Sequence, residues 1–287
     1  MTYTRCFQWG WIPLFLICNP MITHGGESGQ AQQTRLTILQ TPDNIRFGIG
    51  GKKGESPAPT LFVFTSTMEA ALGDRLFQTA GRQLSAAGYL CVSLDLPCHG
   101  TDLRPDEPDG LAGWRHRVEQ GENFMEDMNL RATKVLDYLI AEGYTDAQKI
   151  AACGVSRGGF VAGHFAALDP RIKAAVLYAP VTDLAALHEF HGAEQNLLVR
   201  SLSLLEHANQ LAGRAIWLVI GDRDSRVDTD RSIDLARRVT AAALAAKKER
   251  FVELHVMPEP RGHAIPEHTI SWSATWISKT LGTVQTE

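Results

Sequence analysis

The sequence predicts an α/β fold, a mostly parallel eight-stranded sheet with helices on both faces and a small lid insertion. Two observations predict it. Apolar runs of strand length alternate with longer helix-like runs along most of the 287 residues. Three of the later runs end in turns that combine glycine or proline with a serine, an aspartate or a histidine. Right-handed crossovers in such a sheet bring the strand ends, and so those three turns, to one edge.

The elements follow in order. Residues 36–39 and 45–49 read as a hairpin of two strands, 60–65 as the next strand and 72–87 as a helix. Residues 89–95 form a strand that runs into Leu96-Pro97-Cys98-His99-Gly100. A polar loop with two prolines is expected over 101–121, then a helix from about 123 to 141. The apolar run 149–155 (KIAACGV) reads as a short buried strand, and the residues after Ser156, through 168, as a helix. Further strands are expected at 172–178, 214–220 (RAIWLVI) and 251–257 (FVELHVM). The stretch 181–211 is longer than a plain crossover needs and reads as two short helices over the strand ends, a lid or pocket wall. The other reading is an ordinary crossover helix with a decorated loop. His188, Phe190 and His191 either line a pocket there or form an ordinary amphipathic face.

Composition narrows the classes. With 44% of residues apolar, the chain can bury one large core, and residues 32–287 are expected to form a single domain. A net charge of −4, a pI near 6.2 and the lack of basic runs give no electrostatic basis for a nucleic-acid partner. The N-terminus differs from the rest. Arg5 precedes an apolar stretch over 9–22, and a polar segment rich in Gly, Ser and Gln follows. This pattern predicts a signal peptide over residues 1–31 with cleavage after Ala31, hence export to a periplasm or the medium. The alternative is an uncleaved membrane anchor, although the run is short for a stable span.

Of five cysteines, Cys6 and Cys18 lie in that leader. The remaining Cys91, Cys98 and Cys153 are odd in number and read as small buried apolar residues, not a disulfide framework. There is no CxxC pair and no HExxH, so neither a metal nor another cofactor is expected.

The chemistry concentrates at Gly154-Val155-Ser156-Arg157-Gly158-Gly159, a GxSxG turn between a buried strand and a helix. Small residues are needed at 154 and 158, because side chains there would collide with the adjoining strand or helix. The turn lifts the Ser156 hydroxyl clear of the sheet. A hydroxyl is a poor nucleophile until a base takes its proton, and that base needs a carboxylate to fix its tautomer. Downstream, one strand ends in Gly221-Asp222-Arg223-Asp224 and the last strand leads into Pro258-Glu259-Pro260-Arg261-Gly262-His263. Prolines and glycine place His263 on a loop. Either Asp222 or Asp224 can serve as the acid.

In this order of Ser, acid and His, each after a strand, the chain resembles the α/β-hydrolase family from about 36 to 281. The spacing Gly221-x-x-Asp224-x-x-Val227 and the doubled glycine at 158 and 159 resemble the branch of dienelactone hydrolases and prolyl-oligopeptidase-type catalytic domains. The resemblance implies a serine hydrolase acting on a small ester through an acyl-enzyme, with Ser156 as nucleophile, His263 as base and Asp224 favoured over Asp222 as acid. A peptidase of the same branch, or a binding protein with a dead site, is the alternative. The resemblance also implies an oxyanion hole of two backbone N–H groups, one from Arg157 and one from Thr65-Ser66-Thr67-Met68. Thr67 and Met68 both stay open for the second. Many relatives carry His-Gly where this chain has Thr65-Ser66. His99 resembles a loop-packing residue of the same family, and His164 reads as a core or surface residue of the helix after Ser156.

Overall fold

In the computed structural model, which describes residues 36–73, 79–249 and 252–283, the chain opens with a hairpin of strands β1 (Leu36–Gln40) and β2 (Arg46–Gly50). Strand β3 (Ala58–Phe64) and helices α1 (Met68–Gly73) and α2 (Thr79–Ala86) follow, then β4 (Leu90–Ser93). Helices α3 (Gly110–Glu119) and α4 (Phe124–Ala141) lead to β5 (Thr145–Val155) and α5 (Arg157–Leu168). After β6 (Ile172–Tyr178) come the short helices α6 (Leu197–Ser201) and α7 (Ala208–Leu211), with 3₁₀ turns around them. The last elements are β7 (Ala215–Gly221), α8 (Thr229–Ala245), β8 (Val252–Met257) and α9 (Thr269–Thr280). The described residues all fall in one unit, Thr34–Glu287. The leader expected over 1–31 lies outside them.

The strands form one eight-stranded sheet in the order β1-β2-β4-β3-β5-β6-β7-β8. Only the β1–β2 and β2–β4 pairs are antiparallel, and every later pair is parallel. Parallel strands are covered on both faces, and the alternation within β5 shows how. Ile150 and Ala152 join a core with α4, α5 and α8, whereas Ala151 and Cys153 join a second core with α1, α2 and α9. The period of two along a strand thus divides one apolar run between two helical layers. Cys91, Cys98 and Cys153 are buried free thiols, as expected.

Two elements differ from the sequence reading. The helix expected over 72–87 appears as two described pieces, α1 and α2, and residues 74–78 are outside the described set. Within the loop expected over 101–121 the chain forms α3. Its glycines and the prolines before it mask a helical spacing of Leu111, Trp114 and Val118, all buried. Trp114 packs on Phe124 and Phe160 with ring centroids 4.7 and 5.7 Å away, and its Nε1 donates to Pro97 O at 2.7 Å. Tertiary packing outweighs weak local propensity here.

The loop ahead of α3 is fastened by Arg117, whose side chain is only 3% exposed. It donates to Glu107 at 2.6 Å and to Asp102 at 2.8 Å. Burial alone would lower the Arg117 pKa, and these carboxylates reverse that and raise it. Over the stretch 181–211 the chain forms short helical turns, and Phe190 is fully buried. Among the described residues no helix is long and apolar enough to cross a membrane.

Candidate active site

Strand β5 and helix α5 meet at Ser156, whose backbone takes φ 55° and ψ −116°. A non-glycine residue there carries strain of about 1–3 kcal/mol, which the surroundings must hold in place. They do so through three backbone hydrogen bonds. Ser156 N–H donates to Tyr178 O at 2.9 Å, and Ser156 O accepts from Val181 at 3.0 Å and Phe160 at 3.2 Å. The turn closes so tightly that a Cβ at 154 would lie 2.1 Å from Gly158 O, and one at 158 would lie 1.9 Å from Phe64 O. Neither position can carry a side chain.

His263 follows β8 on a loop that Gly262 turns at φ 76°. Its Nε2 stands 3.0 Å from Ser156 Oγ and its Nδ1 2.7 Å from Asp224 Oδ2. The Asp224 side chain is fully buried. Its Oδ1 accepts the N–H groups of Arg226 at 3.0 Å and Val227 at 3.2 Å, so the carboxylate has one orientation. Thr229 secures the start of the same turn, accepting from Asp224 N–H and donating to Gly221 O.

Asp222 is placed differently. Its Oδ1 accepts the N–H of Glu259 at 3.0 Å, and Arg223 pairs with it at 3.1 Å. It ties the acid turn to the histidine loop without touching His263. Glu259 in turn holds Arg261 at 2.6 Å, and that partner lowers the Glu259 carboxyl to about 2.

Arg157 is the first residue of α5, where a backbone N–H has no acceptor within its own helix. Of the two residues open for the second donor, Met68 uses its N–H on buried Asp95 Oδ1 at 2.9 Å. Thr67 precedes α1 and caps it, its Oγ1 accepting from Ala70 N–H at 3.1 Å. The cavity over Ser156, about 830 Å³, is lined by Thr65 and Ser66 from this loop, and Thr67 is not among its lining residues. Ser156, His263, Asp224 and Arg157 are therefore brought together, whereas Thr67 is not among the residues around them.

The cavity wall also contains residues the sequence reading did not assign to it: Asp109, Glu189 and Arg261. Of the three residues considered for the pocket there, His188 and His191 are exposed and Phe190 is fully buried, and none of them is among its lining residues; Glu189, between His188 and Phe190, is. His99 lines the cavity too. Its Nδ1 donates to Pro97 O at 2.8 Å, which leaves Nε2 to accept from Arg157 Nη1 at 2.9 Å. Burial is the main cause that lowers its pKa, so the ring is neutral near pH 7. His164 packs in the core, donates Nε2–H to Leu202 O at 2.9 Å, and is lowered by burial to about 3. Among the described residues no cluster of His, Cys, Asp and Glu is arranged to hold a metal.

A model of the prolyl oligopeptidase family matches residues 114–281, more than half of the chain. The chain belongs to the prolyl oligopeptidase family. The match spans Ser156, Asp224 and His263 and leaves out the loop that carries Thr67. No curated protein matches the chain in sequence.

Solved structures of similar fold include peptidases and esterases. Dipeptidyl peptidase 4 of Porphyromonas gingivalis is 18% identical with a TM-score of 0.61, covering 85% of this chain and 35% of the peptidase. The chain thus spans about a third of that relative's length. A Klebsiella pneumoniae protein described as a dienelactone hydrolase is 16% identical with a TM-score of 0.61, covering 87% of this chain and 99% of the other. A Pyrococcus furiosus esterase is 17% identical with a TM-score of 0.57, covering 86% and 90%. At these identities the likeness to the individual structures is one of fold. The chain is a member of the prolyl oligopeptidase family with an α/β-hydrolase fold.

Proposed function

We propose that the protein is a serine hydrolase that cleaves a small ester through an acyl-enzyme. The observation that carries this reading is the hydrogen-bonded chain from Asp224 through His263 to Ser156 at the floor of a cavity of about 830 Å³. A cavity of that size suits a small molecule. Ser156 Oγ attacks the ester carbonyl while His263 Nε2 takes its proton, and Asp224 fixes the tautomer with Nδ1–H toward itself. The Arg157 N–H holds the oxyanion, and the second donor comes from the Thr65-Ser66-Thr67-Met68 loop that borders the cavity. His263 then returns the proton to the departing alcohol, and a water activated by the same nitrogen releases the acid. The scheme requires no cofactor.

Peptide cleavage is the second reading, favoured by the family the chain belongs to. A panel of p-nitrophenyl esters beside peptide amides separates the two. Faster turnover of short-chain esters is expected, and cleavage of amides alone would move the assignment to a peptidase. The leader over 1–31 belongs to the same proposal as an export signal, with an uncleaved anchor as its alternative.

A further inference from the structure

The Arg157 side chain occupies an unusual position for a cation. It lines the catalytic cavity directly beside the serine, on the residue whose backbone follows Ser156. One N–H of its guanidinium is used on His99 Nε2 at 2.9 Å, and the head is seated against Gly110, whose Cβ, were there one, would stand 3.0 Å from Nη1. Gly110 has φ +61°, so a side chain there would be strained as well as crowded. The neutral His99 ring orients the guanidinium and supplies no counter-charge. Among the described residues Arg157 is in no ion pair.

Two other charges of the wall have partners within the protein: Glu189 Oε1 is held by Arg226 at 2.5 Å, although its Oε2 is buried without a hydrogen-bond partner, and Arg261 is held by Glu259 at 2.6 Å. Asp109 is exposed at the edge of the cavity, where water screens it. Burial is the main cause that lowers the Arg157 pKa; the nearby Glu189 and Asp109 carboxylates oppose it without pairing with the guanidinium, and Arg226 adds to it. The group remains a cation, as arginine does in proteins. A half-buried cation with most of its donors unused is costly to keep, and a planar carboxylate matches its fork in charge and shape.

We infer that Arg157 is the docking point for a carboxylate on the substrate, so that the ester taken by this cavity carries a negative charge on its acyl or its alcohol part. The inference deepens the proposed ester hydrolysis and rests on it for the reacting bond. Arg157 then has two separate roles, a backbone N–H toward the oxyanion and a side chain that selects the substrate. His99 is a positioning residue that acts through Arg157.

The test compares near-isosteric pairs. Monoethyl succinate carries a carboxylate on its acyl part and ethyl butanoate does not. O-acetylglycolate carries one on its alcohol part and ethyl acetate does not. In the wild-type protein at least one charged ester should exceed its neutral partner in kcat/KM by roughly 10-fold or more, as a charge-assisted contact implies. Arg157→Met should abolish that ratio, and His99→Ala should reduce it. Charged-to-neutral ratios near one for both pairs in the wild type, or a ratio unchanged in Arg157→Met, overturn the inference. A catalytically silent arm keeps it separate from the hydrolase reading. In Ser156→Ala protein, calorimetry should detect binding of monoethyl succinate that Arg157→Met weakens at least tenfold. Loss of fluorophosphonate labelling in the wild type with that binding intact would sink only the hydrolase reading. Labelling with no charge preference in binding or turnover would sink only the role of Arg157.

Discussion

Asp224 reaches His263 Nδ1 at 2.7 Å with one carboxylate oxygen and receives two backbone N–H groups of its own turn with the other. The second set of bonds makes the first directional. A carboxylate gripped on one oxygen by the Arg226 and Val227 amides cannot rotate away from the imidazole. Two residues earlier in the same turn, Asp222 makes a different bond, to the Glu259 amide.

The two aspartates therefore respond differently to substitution. Asp224→Asn keeps the shape of the turn but lets the imidazole adopt the wrong tautomer, and kcat should fall by roughly 10³–10⁴-fold. Asp222→Asn keeps an acceptor for the Glu259 amide, and the loss should stay within about tenfold. Steady-state kinetics on one ester measure both. Equal losses would return the acid to an open choice.

The serine turn should tolerate a smaller side chain at 156 and none at 158. Gly158→Ala places a methyl 1.9 Å from Phe64 O, which is main chain and cannot swing aside. The central strands β3 and β5 would have to part. We expect loss of activity together with a clear drop in thermal midpoint, measured by calorimetry, whereas Ser156→Ala should lose activity at an unchanged midpoint.

Acid stability should depend on Glu107. Its hydrogen bonds from Arg117 lower its carboxyl from the ordinary 4.5 to about 2. The folded state therefore binds that proton less readily than the unfolded chain. Its contribution to stability is complete above pH 4.5 and is lost as pH falls toward 2. Glu107→Gln should cost about 3 kcal/mol at pH 7, the lower end for breaking a buried pair, because Arg117 keeps Asp102. The difference between variant and wild type should shrink on acidification through that window, as denaturant titrations at several pH values will show. A constant difference from pH 7 to 2.5 would contradict it.

Much of this architecture was legible in the residues. The eight strands are apolar runs of ordinary length, and the three site loops each announce themselves by a breaker next to a reactive side chain: Gly154 and Gly158 around Ser156, Gly221 before Asp224, Gly262 before His263. What stayed hidden depends on contacts across the chain. Helix α3 is made worthwhile by Trp114 lodging between Phe124 and Phe160, which local propensity does not register. Which of Asp222 and Asp224 reaches His263 could be read only from a distance. Glu189, the member of its segment that faces the cavity, carries no mark in its neighbours His188 and Phe190. The Arg157–His99 contact joins residues 58 positions apart and has no local signature at all.

The central claim is that Ser156 is a nucleophile activated by His263, across the 3.0 Å between Oγ and Nε2. The most direct measurement is mass spectrometry of the protein after treatment with a fluorophosphonate, followed by mapping of the modified peptide. A single phosphonyl adduct on Ser156 is expected in the wild type, none in Ser156→Ala, and labelling slowed by at least about 10³-fold in His263→Ala. An unmodified Ser156 in a protein that still hydrolyses esters, or labelling at the wild-type rate in His263→Ala, would contradict it.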